Sequence, residues 1–200
     1  MSKVYPVVEQ FYTLQGEGFY SGVAAYFIRL AGCDVGCTWC DTKESWEQSK
    51  HPLLSISSLV EAVLTANAKR VVITGGEPLM HDLNELTTAF HLAGIPCNLE
   101  TSGVYPLSGE WDWVCVSPKK FKAALPANLI QANELKVIVF NKHDLEWAHG
   151  FEQQVNANCK LYLQPEWSKK EAAALLCTEF IKAHPQWMLS LQVHKYIAIP

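Results

Sequence analysis

Short apolar or alternating runs recur along the chain with amphipathic stretches between them. After a first run at 7–12, residues 25–30, 71–74, 97–100, 113–116, 135–140, 161–163 and 187–191 read as strands. Helices are predicted over 57–66, opened by a Ser58-x-x-Glu61 capping box, and from Asp82-x-x-Glu85 to a stop at Gly94. A further helix over 143–156 would be capped by Asn141, and another opens at Ser168-x-x-Glu171 and is closed by His184-Pro185. Residues 43–54 carry no clear period and contain Pro52, so they read as loop. Strands alternating with helices predict an α/β fold with a parallel sheet. Six or seven such strands fit an open, partial βα barrel of about six strands better than a closed one of eight. No linker, repeat or low-complexity segment interrupts the pattern, so residues 1–200 are expected to form a single domain.

Polar and glycine-rich clusters fall just after the predicted strands, at 32–42, 74–78, 100–103, 117–119 and 164–165. In parallel α/β architectures the C-terminal strand ends form the active face, so all five clusters are expected to line one mouth. Polar turns explain the glycines and prolines in these clusters. They do not explain why the first contains three cysteines.

Composition narrows the classes. Hydrophobic residues make up 49% and charged residues 18%, with a net charge of −4, which points away from nucleic acid and anionic membranes as partners. The first residues contain no apolar core of signal-peptide length, and no run reaches the ~20 residues of a membrane span. Cys97, Cys115, Cys159 and Cys177 are scattered in apolar contexts, as packing residues would be. A cytoplasmic, reducing compartment is expected.

The remaining three, Cys33, Cys37 and Cys40, are separated by three and then two residues, with Gly32 and Gly36 giving the backbone freedom to turn. A structural zinc site wants four protein ligands, and no fourth cysteine or histidine occurs nearby before His51. Three thiolates can instead hold a cubic iron–sulfur cluster with one iron left open. The spacing Cys-x3-Cys-x2-Cys at the mouth of a partial barrel resembles the radical S-adenosylmethionine (SAM) enzymes, and Thr74-Gly75-Gly76-Glu77-Pro78 resembles that superfamily's glycine–glycine–glutamate segment.

A closer likeness covers about residue 5 to the last residue. Leu14-Gln15-Gly16-Glu17-Gly18, Phe27-Ile28-Arg29-Leu30, Trp39-Cys40-Asp41-Thr42, Glu100-Thr101-Ser102-Gly103, Ser117-Pro118-Lys119, Tyr162-Leu163-Gln164-Pro165 and His194-Lys195 together resemble the 7-carboxy-7-deazaguanine synthase family. The resemblance implies a lyase that converts 6-carboxy-5,6,7,8-tetrahydropterin to 7-carboxy-7-deazaguanine with loss of ammonia, on the route to queuosine. It implies a 4Fe–4S cluster on Cys33, Cys37 and Cys40, SAM, and Mg2+ on Thr42. SAM contacts would be Trp39, Cys40, Asp41, Gly76, Glu77, Thr101, Ser102, Ser117, Pro118, Lys119 and Gln164. Substrate contacts would be Leu14, Gln15, Gly16, Arg29, Thr74, His194 and the terminal Pro200, whose α-carboxylate would face the amino-pyrimidinone edge. An electron donor such as flavodoxin or ferredoxin, and a homodimer, are implied partners.

Arg29 carries its own physical argument, because a strand arginine beside a buried site needs an anion and a substrate carboxylate would be one. Two other classes share the cysteine loop: an activase that generates a glycyl radical on a protein, and a non-catalytic module stabilised by metal. The activase would not need Gln15, Arg29 or a substrate-binding tail, and the module would hold zinc in the loop and be colourless.

Overall fold

The computed structural model describes residues 3–200. Its strands are β1 Val4–Leu14, β2 Ala24–Leu30, β3 Leu53–Ser55, β4 Val71–Gly75, β5 Cys97–Thr101, β6 Trp113–Val116, β7 Glu134–Val139, β8 Lys160–Pro165 and β9 Trp187–Leu189. They form one sheet in the order β3-β1-β2-β4-β5-β6-β7-β8-β9. From β2 through β9 neighbouring strands are parallel, while β1 runs antiparallel to both β2 and β3. The sheet stays open, yet residues from β2 and β8 line one cavity, so it curls as a partial barrel.

The core lies where the strand pattern places it. Ile28, Ile73, Leu99, Val116, Leu135, Val137 and Leu163 are buried along successive parallel strands. Strands covered on both faces need continuous apolar runs, which is why these segments read as Val/Ile/Leu-rich rather than cleanly alternating. Six helices accompany them: α1 Ile56–Thr65, α2 Asn84–Leu92, α3 Pro126–Gln131, α4 Lys142–His149, α5 Lys170–Ala183 and α6 Val193–Ile197.

Helix ends depart from expectation in instructive ways. Ser55, not Ser58, caps α1, its Oγ accepting the Ser58 N–H at 3.2 Å. Asp82 accepts the Asn84 N–H at 3.1 Å, but the helix starts beyond it and Glu85 returns no bond. Asn141 does cap α4 and Asp144 completes a capping box, though the helix stops at His149 rather than 156. The Ser168 hydroxyl turns to Glu166 instead of capping, and α5 begins at Lys170. In each case several polar residues compete for the first turn, and the sequence spacing alone does not choose among them.

Residues 43–54 are not plain loop. They form 3-10 turns at Lys43–Trp46 and Gln48–Lys50, then enter β3 against Val4–Pro6 of β1. The hairpin joining β1 to β2 also does more than turn. Phe19 stacks on Trp113, the first residue of β6, with ring centroids 4.7 Å apart. Its N–H donates to Glu134, the first residue of β7, at 3.2 Å. The loop of the hairpin thus enters the barrel from the N-terminal ends of the parallel strands, opposite the cysteine loop.

Candidate active site

Strand β2 ends at Leu30 and hands the chain to the cysteine loop. Gly32 and Gly36 take φ of +112° and +75°, conformations that side chains disfavour. The first 3-10 turn then holds the loop from behind: Gly32 N–H donates to the Ser45 carbonyl at 2.6 Å and Cys33 N–H to that of Trp46 at 3.3 Å. On the other side Asp34 accepts from Tyr105 at 2.5 Å and from Lys122 at 2.9 Å. Val35 and Cys37 pack against Val104 in a small apolar cluster, with Cys33 and Cys40 at its margin. All three sulfurs are free thiols. Burial pushes the Cys33 and Cys37 thiols up from their ordinary acidity, so a bound metal would have to draw off their protons.

The glycine–glycine–glutamate segment follows β4 and packs on this loop. A β-carbon on Gly75 would lie 2.4 Å from the Leu30 carbonyl oxygen, and one on Gly76 would lie 2.5 Å from that of Gly32. Glu77 is 1% exposed. Its carboxylate accepts from Thr101 Oγ1 at 2.6 Å, from the Ser102 and Leu79 N–H groups at 2.8 and 3.0 Å, and from the Ser102 hydroxyl. Glu77 therefore stands behind the wall, tying the end of β4 to the end of β5.

These elements enclose a cavity of about 410 Å³. Cys33, Cys37, Trp39, Cys40, Asp41, Thr42, Gly76, Thr101, Ser102, Ser117, Lys119 and Gln164 line it, as do Leu14, Gln15, Gly16, Arg29, Thr74, His194 and Pro200. Of the residues singled out in the sequence, Glu77 and Pro118 do not reach its surface. The expectation of one shared mouth therefore holds for the strand-end clusters. Thr42 Oγ1 lies 3.7 Å from Cys40 Sγ. Lys119 bends back on Ser117, donating to its carbonyl and hydroxyl at 2.7 and 2.6 Å.

Arg29 differs from expectation in having a protein partner. Its Nε donates to Glu9 of β1 at 2.7 Å, and that is its guanidinium's one hydrogen bond among the described residues. It still lines the cavity. The antiparallel pairing that sets Glu9 opposite Arg29 could not be foreseen from a parallel reading of the sheet.

Sequence reasoning missed the ionic floor of the cavity. Lys136 of β7 has a side chain 4% exposed and pairs with Glu17 at 2.5 Å and Glu100 at 2.8 Å. Glu100 also accepts from Gln15 Nε2 at 3.0 Å, and Glu17 from Gln192 Nε2 at 2.9 Å. Burial would raise the Glu17 pKa, but the Lys136 charge and the bonds from Lys136 and Gln192 bring it down to about 2. Glu134 lies two residues before Lys136, and burial shifts its carboxyl upward. The available signal was a lone lysine inside Leu135-Lys136-Val137-Ile138-Val139, since a cation in a buried strand needs an anion.

The C-terminal segment closes on the same floor. Val193 N–H donates to the Gly16 carbonyl at 2.9 Å, and Gly18 N–H to Ser190 Oγ at 2.9 Å. The His194 ring occupies the space beside Gly16, where a β-carbon would lie 2.1 Å from Nδ1. Burial lowers the His194 pKa, favouring the neutral imidazole.

Residues 27–124 match the Radical SAM superfamily. Fold and cysteine loop define a radical SAM enzyme, a class whose cofactors are a 4Fe–4S cluster and SAM. Three thiols at the lip of a partly open cavity fit such a cluster, and Gly76 keeps that lip clear. Among the described residues no three histidine, cysteine or acidic side chains gather tightly enough for a single ion. A relative from Flavobacterium psychrophilum named 7-carboxy-7-deazaguanine synthase is 49% identical over 98% of this chain and 92% of its own length. The protein of that name from Synechocystis is 47% identical, covering 98% and 93%. The crystal structure of QueE from Escherichia coli superposes with a TM-score of 0.87 at 38% identity, covering 96% of this chain and 95% of that one. The chain belongs to the 7-carboxy-7-deazaguanine synthase family. No helix among the described residues is long and apolar enough to cross a membrane.

Proposed function

We propose that this chain converts 6-carboxy-5,6,7,8-tetrahydropterin to 7-carboxy-7-deazaguanine and ammonia by a radical ring contraction, supporting queuosine synthesis. The observation that carries this reading is the shared cavity: the cysteine loop forms one wall, and Gln15, Arg29, Thr74 and His194 line the same space. A glycyl-radical activase would share the cysteine loop but would not need Gln15, Arg29 or a substrate-binding C-terminus. Product and ammonia together contain the substrate's atoms, so the reaction needs no net oxidant.

Cys33, Cys37 and Cys40 would hold the 4Fe–4S cluster, which together with SAM would supply hydrogen-atom abstraction to this cavity. The remaining work is positioning. Thr101, Ser102, Ser117 and Gln164 present hydroxyl and amide groups to SAM, while Glu77 fixes Thr101 and Ser102 from behind. Arg29 keeps guanidinium donors beyond its bond to Glu9, and these suit the substrate carboxylate as a charge-assisted pair. Leu14, Gln15, Gly16, Thr74, His194 and Pro200 frame the pterin. Thr42, beside Cys40, would hold Mg2+, which would supply a hard Lewis acid. One-electron supply from a flavodoxin or ferredoxin, and assembly as a homodimer, belong to the same proposal.

The test is an anaerobic reaction of iron–sulfur-loaded protein with SAM, Mg2+, reductant and the carboxytetrahydropterin. Stoichiometric 7-carboxy-7-deazaguanine and ammonia are expected. A preparation that cleaves SAM but forms no deazaguanine overturns the reading.

A further inference from the structure

We propose that Lys136 is a positioning residue for the substrate: by pairing with Glu17 and Glu100 together, it sets the 15–17 loop and the 190–194 segment in the arrangement that frames the pterin. The inference rests on the proposed reaction, which assigns Gln15, Gly16 and His194 to the substrate.

The connections run outward from one ammonium. Lys136 Nζ donates to Glu100 Oε2, whose other oxygen accepts the Gln15 carboxamide N–H. Gln15 Oε1 in turn accepts the Glu17 N–H at 3.1 Å, so both ends of that carboxamide are fixed. On the other branch Lys136 donates to Glu17 Oε2, and Glu17 Oε1 accepts from Gln192. Gln192 precedes Val193, which bonds Gly16, and His194, which packs over it. One cation thereby orders a loop near the start of the chain and a segment near its end. These pieces lie far apart in sequence, and no strand pairing joins them.

A purely structural ion pair would not need this arrangement. Two carboxylates around one ammonium carry a net negative charge, and Glu134 lies close by on the same strand. A buried cluster of that kind is costly to assemble, and an apolar residue of similar volume is often at least as stable. Glu17, Glu100, Lys136 and Gln192 all border the cavity, whereas a fold-stabilising pair has no reason to do so. Among the described residues the hydrogen bonds and ion pairs of Lys136 go to Glu17 and Glu100 and not to the cysteine loop or the SAM-facing residues, so its effect should fall chiefly on the pterin.

The experiment compares Lys136→Met, Lys136→Arg and the charge-balanced Lys136→Met/Glu17→Gln double variant with the natural protein, all cluster-loaded. Equilibrium binding of the carboxytetrahydropterin, KM and kcat for deazaguanine formation, and SAM cleavage without substrate are measured. Losing a charged hydrogen-bond hub should weaken pterin binding and raise KM by on the order of tenfold to a hundredfold. SAM cleavage without substrate and kcat at saturation should change by less than about threefold, and Lys136→Arg should recover part of the affinity. If Lys136→Met does not fold, the double variant decides, because it keeps the net charge of the cluster unchanged while leaving Glu100 without its cation. A folded double variant with natural pterin affinity overturns the proposal. A natural enzyme that makes no deazaguanine overturns the reaction instead, so the two failures are distinct.

Discussion

The α-carbon of Gly76 faces the Gly32 carbonyl so closely that a β-carbon would lie 2.5 Å from that oxygen and 2.8 Å from Cys33 Cβ. The glycine pair after β4 thus has a first duty toward the cysteine loop, before any toward a cofactor. Gly76→Ala should displace Cys33 and lower iron and sulfide content per chain. Far-UV circular dichroism should change little, because the strands end before the clash. Full iron loading in that variant would show the loop to be more compliant than its backbone contacts indicate.

Gly16 and His194 stand in the same relation at the far side of the cavity. Any side chain at 16 must evict the imidazole, so Gly16→Ala should raise the KM for the pterin by about tenfold, one lost side-chain hydrogen bond or its packing equivalent. Adding His194→Ala should cost little more, since the ring is already displaced. Steady-state kinetics on the single and double variants measure this non-additivity.

Acid should act through Glu17. Its folded pKa of about 2 lies below the ordinary 4.5, so ionised Glu17 stabilises the fold at neutral pH. That contribution is full above about pH 4.5 and is lost as pH falls toward 2. Glu134, whose pKa is raised, acts with the opposite sign and partly offsets the loss. Chemical denaturation of the natural protein and the Lys136→Met/Glu17→Gln variant from pH 6 to 3 should show a steeper decline in the natural protein.

The seven cysteines should divide by role. Cys177 is fully buried in the main core, and burial pushes its thiol up to about 12. Cys177→Ala should leave iron content unchanged and cost on the order of 1 kcal/mol of stability. Cys33→Ala, Cys37→Ala or Cys40→Ala should each abolish the iron chromophore and SAM cleavage. Iron analysis and melting curves separate the two groups.

Much of the site was legible because its chemistry is local. Three thiols in eight residues, and a glycine pair after a strand, carry their meaning within a short window. The parallel strands were legible for a similar reason, since burial on both faces leaves apolar runs. What escaped was long-range or contested. The antiparallel partner of Arg29 is Glu9, twenty residues away on a strand whose direction its own pattern does not state. The cap of α1 falls on Ser55 because Ser55, Ser57 and Ser58 offer similar hydroxyls, and only the entry from β3 selects among them. α6 carries an αL residue at Ala198 and little periodicity, so it read as an apolar tail. Lys136 was visible as a lone charge in a strand, but its partners come from residues 17 and 100 and appear only when the sheet curls.

The edge of the barrel between the first hairpin and β9 is joined without a strand ladder. Val193 to Gly16, Gly18 to Ser190 and Gln192 to Glu17 are single polar links, each worth about 1 kcal/mol net. They can part while every pairing within the sheet stays intact. This side of the molecule can therefore loosen locally without global unfolding. Amide protons at 193–199 should exchange with solvent orders of magnitude faster than those of Ile73 or Val137, reporting how often it loosens.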